Sequence, residues 1–219
     1  MARPKITMFV DIVSPFAYMG YYALRNFPVF KQCDIEYIPI LLGGLMKTCG
    51  NTAPLFIKNK DKWIGKERNR WATYLEIPIN RQPVPGFPVS TVPVQRALCA
   101  IQMSEPEKLA PALDALYTAL WVNHAEIAKP DVIQSVLSSA IGEKSAAAAV
   151  KGTGNPDVKK RLIQNTDDAF TGDAFGLPWF ICTNRSGEKE GFWGVDHLAQ
   201  VVDFLGLERP TSKGWRALL

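Results

Sequence analysis

The chain opens on an apolar, β-branched run, Ile6-Thr7-Met8-Phe9-Val10-Asp11-Ile12-Val13, that breaks at Ser14-Pro15. Its composition predicts a buried strand. Beyond the break Phe16, Met19, Leu24 and Phe27 recur at roughly helical spacing, so Ser14 reads as an N-cap and Pro15 as the first helical residue, where a missing N–H costs nothing. A second run, residues 33–41, first alternates and then turns wholly apolar, as a strand entering a core does. Strand, helix and strand at this spacing predict a βαβ unit with parallel strands and a right-handed crossover. Leu42-Gly43-Gly44 and residues 48–54 then predict a long loop, with at most a short helical turn at Leu45-Met46-Lys47.

A charged, Trp-bearing helix is predicted over residues 60–74, followed by a proline-dense stretch at 83–88 that cannot be regular. Helical patterns continue over 94–103, 107–121, 131–141, 145–150 and 156–170, with nothing strand-like between them. The pattern then reverts to β. Residues 177–183, a turn at 184–187 and a second run at 191–194 read as a hairpin. A closing helix starts at Asp196, an acceptable N-cap, and carries Leu198, Val201, Val202 and Leu205, and the tail past Gly206 is predicted to lie on the surface. The order predicts an α/β, thioredoxin-like fold with a helical domain inserted between its βαβ and ββα halves. Residues 1–45 and 172–219 would form the thioredoxin-like domain and 46–171 the insertion.

Composition narrows the class. With 219 residues, 47% of them hydrophobic and 21% charged, the chain can bury a core without metals or disulfides. No apolar run approaches the roughly 18 residues of a membrane span. The net charge is +4, but the basic residues are scattered except between Lys58 and Arg70. Acids and Trp63 interrupt that cluster, which fits a solvated helix face, or a hold on a small anion, better than a nucleic-acid stripe. Cys33, Cys49, Cys99 and Cys182 include no C-x-x-C pair, and His124 and His197 are the only histidines, so free thiols and no metal set are expected. Met1 to Lys5 lead straight into the first strand, without a signal or transit pattern, which predicts an intracellular protein.

The Ser14 corner is the candidate site. A helix start offers free N–H groups and the positive end of the peptide dipoles, so it serves either as an ordinary capped helix or as a seat for an anionic sulfur or phosphate. Other candidates have plain readings too: Asn51 as a left-handed turn residue, Lys60 as a surface charge, Asp196 as a helix cap, Pro178 as a strand-entry proline. His124 is read as ending a helix, and Trp63, Trp71 and Trp121 as packing or lining residues.

Four segments occur in order along the chain: residues 10–16 around Ser14-Pro15, Leu42-Gly43-Gly44 with residues 50–54, residues 174–178 ending in Leu177-Pro178, and Phe192-Trp193-Gly194-Val195-Asp196-His197. Together, over about residues 6–206, they resemble the kappa-class glutathione transferases of the DsbA-like superfamily, to which the 2-hydroxychromene-2-carboxylate isomerases are related. The resemblance implies glutathione as co-substrate, with no prosthetic group and no metal. It makes Ser14 the catalytic residue, its hydroxyl bonded to the glutathione sulfur, with Pro15 and Phe16 beside it at the helix start. Leu177, before a cis Pro178, would pair through its backbone with the cysteinyl part. Asn51 and Lys60 would hold the peptide or its glycyl carboxylate, and Val195 and Asp196 the γ-glutamyl end.

Glu67 would reach into the partner subunit of a homodimer. The family often has Gly-Ser-Asp-Arg where this chain has Gly194-Val195-Asp196-His197, a change that should weaken or re-pose the γ-glutamyl contact. Ser14-Pro15-Phe16-Ala17 stands where redox relatives carry Cys-x-x-Cys, so no dithiol cycle can run there. The implied activity is conjugation of glutathione to electrophiles or reduction of hydroperoxides. The alternatives are a glutathione-dependent isomerase of chromene-type acids and a non-catalytic thioredoxin-like binding module.

Overall fold

The computed structural model describes residues 2–210; the predicted surface tail lies mostly outside them. Four strands form one sheet: β1 (Lys5–Val10), β2 (Asp34–Pro39), β3 (Trp179–Thr183) and β4 (Lys189–Trp193), in the order β2-β1-β3-β4. β1 runs parallel to β2 and antiparallel to β3, and β3 and β4 form the predicted hairpin. The connection from β1 to β2 passes through α1 (Pro15–Asn26). Between β2 and β3 come α2 (Leu42–Thr48), α3 (Lys60–Tyr74), α4 (Val92–Ser104), α5 (Leu109–Trp121), α6 (Pro130–Ile141), α7 (Glu143–Gly152) and α8 (Pro156–Thr171), and α9 (Leu198–Phe204) closes the described chain. The α/β, thioredoxin-like reading therefore holds. Among the described residues no helix is long and apolar enough to cross a membrane.

Strand alternation sorts the sheet into two faces. Met8, Tyr37, Phe180 and Phe192 are register partners on one of them. The Tyr21 ring of α1 packs tilted at 4.8 Å on Tyr37, and Phe204 of α9 lies 5.6 Å from Phe192, so α1 and α9 cover this face. α1 comes close because of Gly20: a Cβ there would lie 3.0 Å from the Phe180 ring and 3.2 Å from Met8 Cε and Pro178 Cβ. Gly20→Val is expected to destabilise the fold by about 2 kcal/mol through overpacking, read as a lower urea midpoint at unchanged slope. One continuous apolar core joins the sheet to α4, α5, α6 and α7.

Three local expectations are corrected. β1 ends at Val10 rather than running to Val13, because the Asp11 carboxylate accepts the Val13 N–H and the Ser14 N–H turns back to the Asp11 carbonyl. Ile12 is apolar because it is wholly buried, and its N–H goes to Gln95 instead of a neighbouring strand. The loop predicted from Leu42 is helical over α2, well beyond the short turn expected at Leu45-Met46-Lys47, and irregular only over residues 49–53. Asp196 does not cap α9: residues 195–197 form a 3₁₀ turn, and His197 occupies the cap position without a side-chain bond. Two smaller differences follow the same logic. The helix expected from residue 107 is a 3₁₀ turn at Pro106–Lys108 and then α5, and His124 lies beyond the end of α5 at φ +55°.

Candidate active site

Ser14 caps α1 as expected. Its backbone is extended, and its Oγ accepts the Ala17 N–H at 3.1 Å. Accepting that bond leaves the hydroxyl proton for another acceptor, at the end of the helix where an anion is favoured. The residue is only 5% exposed. Pro15 has no N–H to offer, and Phe16 is partly buried against the core.

Register brings the distant candidates to this corner. Phe9 pairs with Trp179, so the end of β1 and the start of β3 lie at the same end of the sheet. There the Leu177-Pro178 peptide is cis, and Pro178 packs against α1 at Gly20. The Pro178 carbonyl accepts the Gly194 N–H at 3.0 Å, which ties the turn holding Val195 and Asp196 to the same edge. Val195 is buried, whereas the Asp196 side chain is half exposed, with one oxygen 3.4 Å from His197 Nδ1. That oxygen occupies the space where a Cβ on residue 194 would sit, and with φ +91° the position requires glycine.

Asn51 joins the group through the backbone. Its Nδ2 donates to the Phe175 carbonyl at 2.7 Å, two residues before Leu177, and its N–H returns to the Met46 carbonyl of α2. The left-handed residue of this turn is Gly50, at φ +70°, not Asn51. Lys60 is exposed at the first position of α3, with no ion pair among the described residues. Glu67, about two turns further along, forms an ion pair with Arg70 of its own chain. The structure thus gathers Ser14, Pro15, Phe16, Leu177, Pro178, Val195 and Asp196 at one end of the sheet and ties Asn51 to them through Phe175, whereas Lys60 and Glu67 lie on α3, which packs against α1.

Sequence reasoning missed the polar layer beneath. Asp11 is fully buried: Oδ1 accepts the Thr91 hydroxyl at 2.8 Å and the Val13 N–H at 3.1 Å, and Oδ2 accepts the Leu42 N–H at 2.8 Å. Burial pushes its carboxyl up to about 6 against the pull of these three donors. Gln95, also fully buried, donates to the Val10 and Ile40 carbonyls at 2.8 and 2.7 Å. Trp121 Nε1 serves the Ile12 carbonyl at 2.8 Å, so Trp121 is the packing residue expected, with a polar duty added. A lone carboxylate inside an apolar run was the signal for Asp11. Gln95 and Thr91 left none.

Residues 5–206 match the family profile of the DSBA-like thioredoxin domain. The chain belongs to this family. Cys33, Cys49, Cys99 and Cys182 are all free. Burial pushes the Cys33 thiol up to about 11 and the Cys99 thiol up to about 12, which makes them poor nucleophiles.

Two relatives lie where the resemblance pointed. Glutathione S-transferase kappa 1 of Caenorhabditis elegans is 25% identical over 213 residues, covering 94% of this chain and 93% of that protein. Glutathione S-transferase kappa 1 of Homo sapiens is 26% identical over 216 residues, covering 92% and 90%. Among solved structures, 2-hydroxychromene-2-carboxylate isomerase superposes with a TM-score of 0.72 at 19% identity, over 92% of this chain and 94% of that one, a likeness of fold.

Proposed function

We propose that the chain is a glutathione-dependent enzyme of the kappa transferase type, with the thiolate held at Ser14. The observation that carries this reading is the meeting, at one end of the sheet, of a capping hydroxyl with a free proton and the Leu177-Pro178 and Val195-Asp196 segments. A hydroxyl and a helix N-terminus both favour the anion of a thiol, so glutathione would ionise there more readily than in water. The thiolate then attacks an electrophilic carbon, forming the C–S bond as the leaving group departs with its electron pair. With a hydroperoxide, two glutathione molecules are oxidised to the disulfide while the peroxide is reduced to alcohol and water.

Each recognition contact has its own chemistry. The Leu177 backbone would pair with the cysteinyl residue, and the Asp196 carboxylate suits the α-ammonium of the γ-glutamyl end. Lys60, free of ion pairs among the described residues, suits the glycyl carboxylate. Asn51 acts at second hand as well, since its amide anchors the segment ahead of Leu177. We read the enzyme as a homodimer, supported by the exposure of Phe56, Ile57 and Trp63 at and before α3. Glu67 would meet the partner only by giving up its bond to Arg70.

Calorimetry with millimolar glutathione tests the reading. Heat of binding and a rise in melting temperature are expected, and the absence of both would leave a thioredoxin-like module without this ligand. Product analysis then divides conjugation from isomerisation, because an isomerase returns the thiolate and yields no net conjugate. Asn51→Ala removes the bond that anchors the segment ahead of Leu177, so its glutathione Kd is expected to rise about fivefold, with up to about 1 kcal/mol of stability lost alongside it.

A further inference from the structure

We propose that Asp11 is a positioning residue whose carboxylate clamps the Ser14 turn to α2 and to the start of α4, holding the Ser14 and Asn51 halves of the site in register. This rests on the glutathione reading of the site. The geometry is that of a clamp. Oδ1 takes the Val13 N–H inside the Ser14 turn and the Thr91 hydroxyl at the cap of α4, and Oδ2 takes the Leu42 N–H at the first residue of α2. α2 has no side-chain cap of its own, so the Asp11 oxygen supplies the acceptor and the negative charge that a helix start favours. From the other end of α2, Met46 holds the Asn51 N–H, and Asn51 holds Phe175.

All three donors address an acceptor, so the clamp is built for the ionised carboxylate. Protonating Oδ2 would set one O–H against the Leu42 N–H and release the α2 start. The groups facing Asp11 are the Thr91 hydroxyl at the cap of α4, the Tyr117 phenol of α5, which donates to the Asp11 backbone carbonyl at 3.4 Å, and the N–H groups of Val13 and Leu42, while the Gln95 amide of α4 accepts the adjacent Ile12 N–H. Burial, and next the Asp11 charge, hold Tyr117 well above the usual phenol range, so it stays neutral. None of the influences on Asp11 comes from a cation. Burial therefore opposes the charge and the clamp sustains it, which sets the change of state at about pH 6. His197, beside Asp196, is a second titratable group at the site and must be told apart.

The test follows the Leu42 amide by NMR between pH 4.5 and 8 without ligand, and glutathione Kd by calorimetry over the same range, in the wild type, Thr91→Val and Asp11→Asn. In the wild type the amide shift is expected to titrate near pH 6, and the Kd to weaken about tenfold on the acid side of the same midpoint. Thr91→Val removes a bond that favours the anion, so both midpoints should move up together, whereas a His197 titration would stay put. Asp11→Asn should abolish the amide titration, and if that variant does not fold, Thr91→Val carries the comparison alone. A Leu42 amide that does not titrate, or midpoints unmoved in Thr91→Val, would overturn the clamp. A titrating amide with a pH-independent Kd would overturn its role in positioning. If no glutathione binds at any pH, the ligand reading fails, and with it the positioning role; the amide titration still reports separately whether the clamp exists.

Discussion

Replacing Ser14 with alanine is expected to lower kcat/KM for conjugation of glutathione to an aryl halide by about 100-fold, the usual consequence of removing one donor aimed at a developing or resident anion. The bound thiol should ionise at higher pH in the variant, seen as an alkaline displacement of the thiolate ultraviolet absorbance. The same change removes the cap that accepts the Ala17 N–H, so a loss of about 1 kcal/mol in stability accompanies it. Ser14→Asp separates the two effects. A carboxylate still caps the helix but donates nothing and repels a thiolate, so stability should be kept while activity falls at least as far as in the alanine variant. A Ser14→Ala rate within a few-fold of wild type would take the hydroxyl out of the mechanism and leave the helix end to act alone.

The parts of this site that were legible in the chain are those whose local chemistry states their role. Ser14-Pro15 is a helix start in any context, and the apolar runs at β1, β2 and β3 announce a buried sheet. What misled was structure imposed from a distance. Leu42-Gly43-Gly44 has the propensity of a loop, and it is helical because Asp11 accepts its first N–H while the Leu41 N–H is taken by Thr166 of α8. Asp11 to Val13 continues the composition of a strand, and it turns because Asp11, Gln95 and Trp121 occupy the groups that a neighbouring strand would have paired. Asp196 looks like a cap, yet Gly194 lets its side chain fold back over the turn. The partners that hold α2 lie 31 and 125 residues away, the end of β1 combines the short Asp11–Val13 bond with distant Gln95 and Trp121, and the Asp196 turn depends on a backbone angle; none of these leaves a periodic trace.

These misses share a cause that bears on function. A reacting corner must leave the sheet while still beneath the protein surface, and irregular backbone there strands N–H and C=O groups that water cannot reach. The inserted helices answer that need with side chains. α4 sends Thr91 and Gln95, α5 sends Tyr117 and Trp121, and α8 sends Asn165 to the Pro39 carbonyl and Thr166 to the Leu41 N–H. The helical block is thus the polar lining of the strand ends on which the candidate site sits. Variation in these helices would reach glutathione through the backbone of residues 10–14 and 39–42 without touching it.

Gln95 is the strongest test of that account, and Gln95→Leu is expected to destabilise the protein by about 3 kcal/mol. Leucine has nearly the same bulk, so the cavity contribution is small, and what changes is hydrogen bonding. The Ile40 carbonyl loses its 2.7 Å donor, the Ile12 N–H loses its longer 3.4 Å acceptor, and the Val10 carbonyl keeps only the Ile40 N–H. All of these atoms lie around a residue with no exposed surface, so water has no route to replace the amide. Urea unfolding should show a lower midpoint at constant slope, and Gln95→Glu should be worse still at neutral pH, because a second buried carboxylate would replace the donating amide near Asp11. If Gln95→Leu matches the wild type in stability, the carbonyls at the ends of β1 and β2 are satisfied some other way. The helices would then cover the corner by packing alone.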